Sequence, residues 1–389
     1  MTDNEIIAAV KSIDWEFSGA DTQYLTHNIH RYSGKFIPQI AGKAIDILSS
    51  ANDTILDSYM GSGTTLLEAA LRERHPIGID LNPLAVLISR VKNTVVQMDD
   101  LQEINCDLIP YVTVLASGGQ LSLLEQSVDE ARFIVQFEAN AWRLRNSWNT
   151  KWYQPDVLYQ LVQIYSAIEA IRNEKAHSIA LVAFSEILRK SSNASSHYPN
   201  VMFDKSAKEK PLPAKAFLES ICSITEAVIS MSKELSEKHI PADILLGNNL
   251  QLPLHDESVD AIITHPPYIA AIPYAEYGSL SLTWLGFDCK ELDSELTGGR
   301  RHSKQVVSRF MNDYAGFMVE SHRVVKHGHC MFLMVGNPVS HGEQIDLHNL
   351  TIQYAEAAGF HLITTAIRHG ENRRGNKMGD EYLLFFRKH

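Results

Sequence analysis

The stretch Thr54-Ile-Leu-Asp57-Ser58-Tyr59-Met60-Gly61-Ser62-Gly63-Thr64-Thr65-Leu66-Leu67-Glu68 decides how this chain folds. Thr54 to Leu56 is a short apolar strand ending in Asp57, and a glycine turn follows at once. Thr64 to Arg74 then carries Leu66, Leu67, Ala69, Ala70 and Leu71 at helical spacing. Ile77 to Ile79 repeats the strand, ends in Asp80, and is followed by Asn82-Pro83, which opens a second helix with proline near its start. Strands alternating with helices predict an α/β unit with parallel strands.

A Gly-x-Gly turn between strand and helix lets the backbone approach a ligand closely, and the helix N-terminus receives an anionic group such as a carboxylate. Gly63-Thr64-Thr65 lacks the lysine of a nucleoside-triphosphate loop, and Leu66 or Glu68 stands where a dinucleotide loop has its third glycine. Asp80 ends the second strand, the place from which a carboxylate holds ribose hydroxyls. A nucleoside with a small anionic tail is implied. The plainer alternative is a tight turn at Gly61 and Gly63 and a helix cap at Asp80.

Further along, Asp243 to Leu246 with Gly247, Val259 to Thr264, and Cys330 to Val335 read as strands, with a closing hairpin from His361 to Ile367 and Tyr382 to Phe386. Between the two α/β blocks, apolar residues recur at helical spacing, as in Val157, Leu158, Leu161, Ile164, Tyr165 and Ile168. The expected organisation is therefore one sheet domain split in two, residues 1–94 and 241–389, by a helical insertion at 95–240. The loop-like part of the insertion, Arg189 to Lys215, holds six Lys/Arg against Asp204 and Glu209.

Composition narrows the class. With 389 residues, 45% hydrophobic and 21% charged, the chain is ordinary globular material. Thirty-five Lys+Arg against 46 Asp+Glu give a net charge of −11, so any nucleic-acid contact must come from local basic patches. Cys106, Cys222, Cys289 and Cys330 form no CxxC pair and read as small buried side chains in a reducing cytosol. His27 with His30, and His327 with His329, lack a completing ligand set, so no metal is expected. Met1 to Ser12 carries Asp3 and Glu5 and no apolar run reaches 18 residues, so neither export nor a membrane span is expected and the cytoplasm is the expected location.

His265-Pro266-Pro267-Tyr268 follows the apolar strand Ala261-Ile-Ile-Thr264. Two prolines fix the backbone and remove two donors, leaving a rigid row of carbonyls with an aromatic ring beside it. Such a loop accepts hydrogen bonds and stacks a planar ring.

Together these stretches resemble the S-adenosylmethionine-dependent amino-methyltransferases of the bacterial DNA methylase family, which modify exocyclic amines of cytosine or adenine. Asp57 to Glu68 resembles the family's cofactor loop, Ile77 to Pro83 its ribose acid, Gly247 to Pro253 its third motif, and His265 to Tyr268 its Pro-Pro-Tyr tetrapeptide. His30 to Pro38 is similar to the segment that closes over the methionine end of the cofactor, and Trp284-Leu-Gly286 to what often follows the tetrapeptide. The likeness runs from about residue 27 to the C-terminus and leaves most of the insertion unmatched. It departs at two positions, His265 in place of Asp, Asn or Ser, and Asn248 in place of Asp.

The resemblance implies a Rossmann-like methyltransferase, α/β with a mostly parallel doubly wound sheet interrupted by the helical insertion. It implies S-adenosylmethionine held by Tyr32, Lys35, Asp57, Tyr59, Gly61, Gly63, Thr64, Asp80 and Asn248, and methyl transfer to a DNA base, cytosine N4 favoured over adenine N6 by the Ile-Ile-Thr-x-Pro-Pro-Tyr context. His265, Pro266, Pro267 and Tyr268 would be catalytic, the His265 side chain and Pro266 carbonyl accepting from the amine while Tyr268 stacks on the base. A neutral imidazole offers one acceptor nitrogen, so activity is expected to fall below about pH 6.5. DNA contact is expected from Arg189, Lys190, Arg300, Arg301, Lys304, Arg373 and Arg374, with the insertion as the natural place for target recognition. RNA as substrate, and a non-catalytic cofactor- or nucleic-acid-binding protein, are the alternatives. A restriction or defence nuclease is an expected kind of partner; oligomeric state is not readable.

Overall fold

The computed structural model describes residues 1–118, 130–198, 200–206, 208–235, 240–267, 269, 273–299, 305–340, 343–369 and 379–389. Its centre is a seven-stranded sheet. The strands are β1 (Thr54–Asp57), β2 (His75–Asp80), β3 (Asp243–Leu246), β4 (Val259–Thr264) and β5 (Val325–Gly336), a short separate ribbon of β6 (Val339–Ser340) and β7 (Glu343–Gln344), then β8 (Phe360–Arg368) and β9 (Glu381–Lys388). Their order is β3-β2-β1-β4-β5-β9-β8. β1 to β5 pair in parallel, while β9 runs antiparallel between β5 and β8. The fold is α/β with mostly parallel strands, as the strand-and-helix alternation predicts, and of the Rossmann-like class that the resemblance implies.

A sheet covered on both faces needs strands apolar on both sides, and these strands alternate accordingly. Ile55, Ala261, Ile263, Phe332, Leu383 and Phe385 face one way, onto α1 (Asp3–Lys11) and α2 (Pro38–Leu48). Leu56, Ile262, Met331, Leu333, Leu384 and Phe386 face the other. The sequence order of the next helices is α3 (Thr64–Ala70), α4 (Pro83–Asn93), α5 (Ile109–Ala116), α6 (Glu130–Asn140), α7 (Ser147–Trp152), α8 (Pro155–Glu169), α9 (Glu174–Ser191) and α10 (Pro213–Leu235). After β4 come α11 (Tyr274–Tyr277), α12 (Ser279–Trp284), α13 (Cys289–Glu295), α14 (Val306–Val324) and α15 (Leu347–Ala358). Phe310, Tyr314 and Phe317 of α14, with Leu347 and Ala355 of α15, cover the second face.

Residues 94–242 supply no strand to the sheet among the described residues, and their helices lie in the crossover from β2 to β3. Their core is not self-contained. Ile88 and Val91 of α4, Leu161 and Ile164 of α8, Phe184 of α9, Phe217 of α10 and Trp284 of α12 form one cluster. Trp284 is its hinge-pin: 1% exposed, it packs on Tyr153, Tyr165 and Phe184. Its indole N–H donates to Tyr153 Oη (3.2 Å), and the Arg143 guanidinium lies 4.9 Å from its ring while donating to its carbonyl.

Several local expectations change. The helix expected over 64–74 ends at Ala70, because the chain turns tightly with Glu73 at φ +61° and the Arg74 N–H closes on the Ala69 carbonyl. β5 starts at Val325, five residues before the apolar run at Cys330, because the parallel pairing with β4 already begins there. Cys106 and Cys222 are exposed rather than buried; Cys330 alone of the four is fully buried.

Replacing Trp284 by Ala empties a site where insertion and sheet domain meet, which costs about 3–5 kcal/mol. Urea unfolding of Trp284→Ala should show that loss, and Trp284→Phe a clearly smaller one.

Candidate active site

In the sheet order, β1 lies beside β4, and the chain proceeds outward from them in opposite directions. At such a switch point the loops after the two strands part and leave a crevice at their carboxyl ends. The crevice is present here, about 610 Å³ including its mouth. Ser58, Tyr59 and Gly61 enter it after β1, Asp80 and Asn82 after β2, Asn249 after β3, and His265 and Pro267 after β4. Tyr32, from the segment before α2, and Tyr274, from α11, close one side with rings stacked at 6.5 Å.

The two strand ends are joined. Thr264 Oγ1 donates to Asp57 Oδ1 (2.6 Å), and the Tyr59 N–H points at both the Thr264 hydroxyl and the Asp57 carboxylate (3.2 Å each). Burial pushes the Asp57 carboxyl up to about 6, against the pull of the Thr264 hydroxyl and the Tyr59 N–H. Asp80 accepts from the N–H groups of Gly61 (2.9 Å) and Asn82 (2.8 Å), and burial raises it to about 6 as well. The helix cap beyond it is Asn82, whose side chain accepts from the Leu84 N–H. Asp80 is therefore not a side-chain cap. It orients the glycine turn and presents its carboxylate to the crevice.

His265 is half-buried at the crevice, its ring 5.5 Å from Phe36, and desolvation lowers it to about 4. The fall in activity expected near pH 6.5 is thus displaced: the imidazole is neutral throughout the range in which proteins normally work. Pro266 is buried and Pro267 lines the crevice.

The glycines divide their work. Gly61 lines the crevice at φ +49°, where an added Cβ would meet the Tyr32 ring at 3.2 Å. Gly63, at φ +76°, serves packing instead: a Cβ would lie 2.2 Å from Ser89 Oγ on α4. Thr64 is buried at the start of α3 and is not among the residues lining the crevice. Lys35 also turns away from it, its ammonium donating to the carbonyls of His27 (3.1 Å) and His30 (2.5 Å) and so shaping the segment that carries Tyr32. Asn248 is exposed and its side chain accepts from the Leu250 N–H, while its neighbour Asn249 is buried in the crevice. The sequence signal for Asn249 was only adjacency to Asn248. Ser58, also in the lining, belongs to the glycine-turn stretch but was not singled out there, and Tyr274 and Thr297 carried no motif. Tyr268, Arg300, Arg301, Lys304, Arg373 and Arg374 lie outside the described residues. Arg189 is anchored to the carbonyls of Ser195, Tyr198 and Asn200, and Lys190 is exposed nearby; both line a neighbouring cavity that shares Tyr32 and Tyr274 with the crevice.

Fold and crevice together place a ligand site at the switch point of a Rossmann-like sheet. Residues 12–90 match the family model described as DNA methylase. The chain is similar to the Type II methyltransferase M.MvaI of Kocuria varians, 25% identical over 75% of this chain and 66% of that one, and to M.MjaII of Methanocaldococcus jannaschii, 23% identical over 96% and 83%. It thus spans about two thirds of the length of the Kocuria relative. An S-adenosylmethionine-dependent methyltransferase from Methanosarcina mazei superposes with a TM-score of 0.35 at 11% identity, over 89% of this chain and 96% of that one. The sequence matches thus point to the N4/N6 amino-methyltransferases as the proteins this chain is similar to.

The crevice suits the cofactor. The Ser58 hydroxyl is buried without a hydrogen-bond partner among the described residues, and Gly61 leaves room that a Cβ would fill. Asp80 is a desolvated carboxylate suited to paired hydroxyls. Protonation removes that acceptor, so as pH falls through about 6 the affinity for S-adenosylmethionine should drop, roughly tenfold at one unit below. Titration calorimetry from pH 7.5 to 5 should show this in the wild type and a flat profile in Asp80→Asn. A wild-type affinity independent of pH would remove Asp80 from the cofactor site.

Proposed function

We propose that this chain transfers a methyl group from S-adenosylmethionine to an exocyclic amino group of a base in DNA, and that the base is cytosine, methylated at N4. The observation that carries the reading is the meeting of the two strand-end loops at one crevice: the acid-and-glycine turn after β1 and β2, and a neutral histidine followed by two prolines after β4. The names of the Kocuria and Methanocaldococcus relatives, both Type II methyltransferases, support the class of reaction. The Ile262-Ile263-Thr264-His265-Pro266-Pro267-Tyr268 context supports cytosine.

Asp80 would hold the ribose hydroxyls, Asn249 the adenine edge, and Ser58, Gly61 and Tyr32 the methionine end. Bound there, the cofactor supplies a sulfonium methyl carbon as electrophile, which the base nitrogen takes as the carbon–sulfur bond breaks. The difficulty lies in the nucleophile, because an aromatic amine has its lone pair delocalised into the ring. The neutral His265 nitrogen and the Pro266 carbonyl each accept one N–H bond, drawing the nitrogen toward a pyramidal shape and fixing the direction of its lone pair. Pro267 adds no donor to compete for either acceptor. The same His265 nitrogen can take the proton that the nitrogen must shed. Tyr268 would stack on the extruded base.

The test is methyl transfer from labelled S-adenosylmethionine to unmethylated genomic DNA and, in parallel, total RNA, with nucleoside mass spectrometry. N4-methylcytosine in DNA is expected. N6-methyladenine would overturn the choice of base, and product in RNA alone would overturn the choice of polymer. His265→Ala should lower turnover about 10²–10³-fold, the usual loss for one aligned electrostatic group, with cofactor binding retained.

A further inference from the structure

Between α9 and α10 the insertion carries an irregular projection with firm roots. Ala194 bridges Phe203 in antiparallel fashion, the Ser195 N–H donates to the Met202 carbonyl (2.8 Å), and the Asp204 N–H donates to the Asn193 carbonyl (2.8 Å). The base is fastened to the α7–α8 junction: the Asn193 N–H donates to the Trp152 carbonyl (2.7 Å), and Gln154 bonds the Lys208 carbonyl and the Lys210 N–H (3.0 Å each). From inside, Arg189 donates to the carbonyls of Ser195, Tyr198 and Asn200, so one guanidinium shapes the tip.

A projection so well held should bury its apolar side chains, yet Tyr198 is 54% exposed, Met202 46% and Phe203 41%. A cation lies against one of these rings, and further lysines follow in the chain. The Lys151 ammonium lies 5.3 Å from the Trp152 ring and 5.9 Å from Phe203, and Lys205 and Lys208 are exposed on the return limb. Of the two acids in the stretch, Asp204 is engaged by the N–H and hydroxyl of Ser206. In a chain of net charge −11, exposed aromatic rings among lysines match a polyanion that offers stacked rings. The position adds direction. Arg189, which grips the tip, also lines the cavity of about 800 Å³ that shares Tyr32 and Tyr274 with the crevice.

We propose that this projection is a finger that enters the DNA helix at the target base pair, Tyr198 filling the gap in the stack left by the extruded base. The role rests on the reading of the protein as a DNA methyltransferase. Extruding a base costs its stacking and pairing, and a side chain that takes its place recovers part of the stacking. The finger is therefore needed for a paired target and dispensable where extrusion is already cheap.

The experiment uses the full chain and a duplex containing a site mapped in DNA that the wild type has methylated. It compares the paired duplex with one carrying an abasic position opposite the target base. Tyr198→Ala should lower kcat/KM about 10- to 100-fold on the paired duplex, the range of one lost base-stacking contact, and less than threefold on the abasic one. Tyr198→Trp should restore the paired duplex. Equal losses on both duplexes, or none on the paired one, would overturn the finger, and a thermal melt matching the wild type excludes misfolding as the cause. A wild type that leaves no methyl on DNA would instead overturn the functional reading, and this role with it.

Discussion

The hydrogen bond from Thr264 Oγ1 to Asp57 Oδ1 joins residues 207 positions apart, and the site hangs on it. Each of the two is the last residue of its strand, and the two strands are neighbours at the switch point. One bond therefore sets the glycine turn after β1 and the start of the loop after β4 in register. It is made in a desolvated place. With its carboxyl raised to about 6, Asp57 disfavours ionisation in the fold, so the stability belonging to the protonated form is full below the ordinary value of 3.8 and is lost as pH rises through 6. At neutral pH this costs on the order of 3 kcal/mol. The Thr264 hydroxyl and the Tyr59 N–H hold the carboxyl from going higher.

The insertion is held to the same centre by a second buried chain. His30 Nε2 bonds Ser185 Oγ (2.8 Å), which donates to Ser281 Oγ (2.7 Å), linking the segment before α2, helix α9 and helix α12. The first of these carries Tyr32 into the crevice, and the last follows the loop after β4. The packing of Trp284 and this hydroxyl chain act at the same junction. A load on α9 is thus felt by the walls of the crevice through short, directional bonds, not through a flexible linker.

What could be read in the sequence and what could not divide along physical lines. Strands buried on both faces leave continuous apolar runs, so β1, β4 and β9 were legible, as were the acids that end β1 and β2. The turn glycines were legible as a pair but not by task, because Gly61 faces Tyr32 and Gly63 faces Ser89, and both neighbours come from other segments. Lys35 resembled a ligand residue because its motif is contiguous; its partners are carbonyls of the loop it belongs to. Asn248 and Asn249 differ only in which way a turn points them. Thr264 had a local signal, a hydroxyl closing an apolar strand, but its partner lies across the fold. The displaced titration of His265 follows from burial, which one sequence does not state.

That displacement also accounts for the departure at the first tetrapeptide position. The crevice holds Asp80, and Asp57 lies beneath it; both are raised to about 6, and Asp80 contributes to the rise at Asp57. A carboxylate at 265 would bring a third negative group into this desolvated space, and the strength of each as an acceptor would fall as one or another took up a proton. An imidazole lowered to about 4 offers an acceptor nitrogen with no charge at all. In the proposed reaction, histidine at this position would supply an acceptor for the amine without adding a third carboxylate beside Asp80, so that cofactor binding and amine activation would not compete for the same proton.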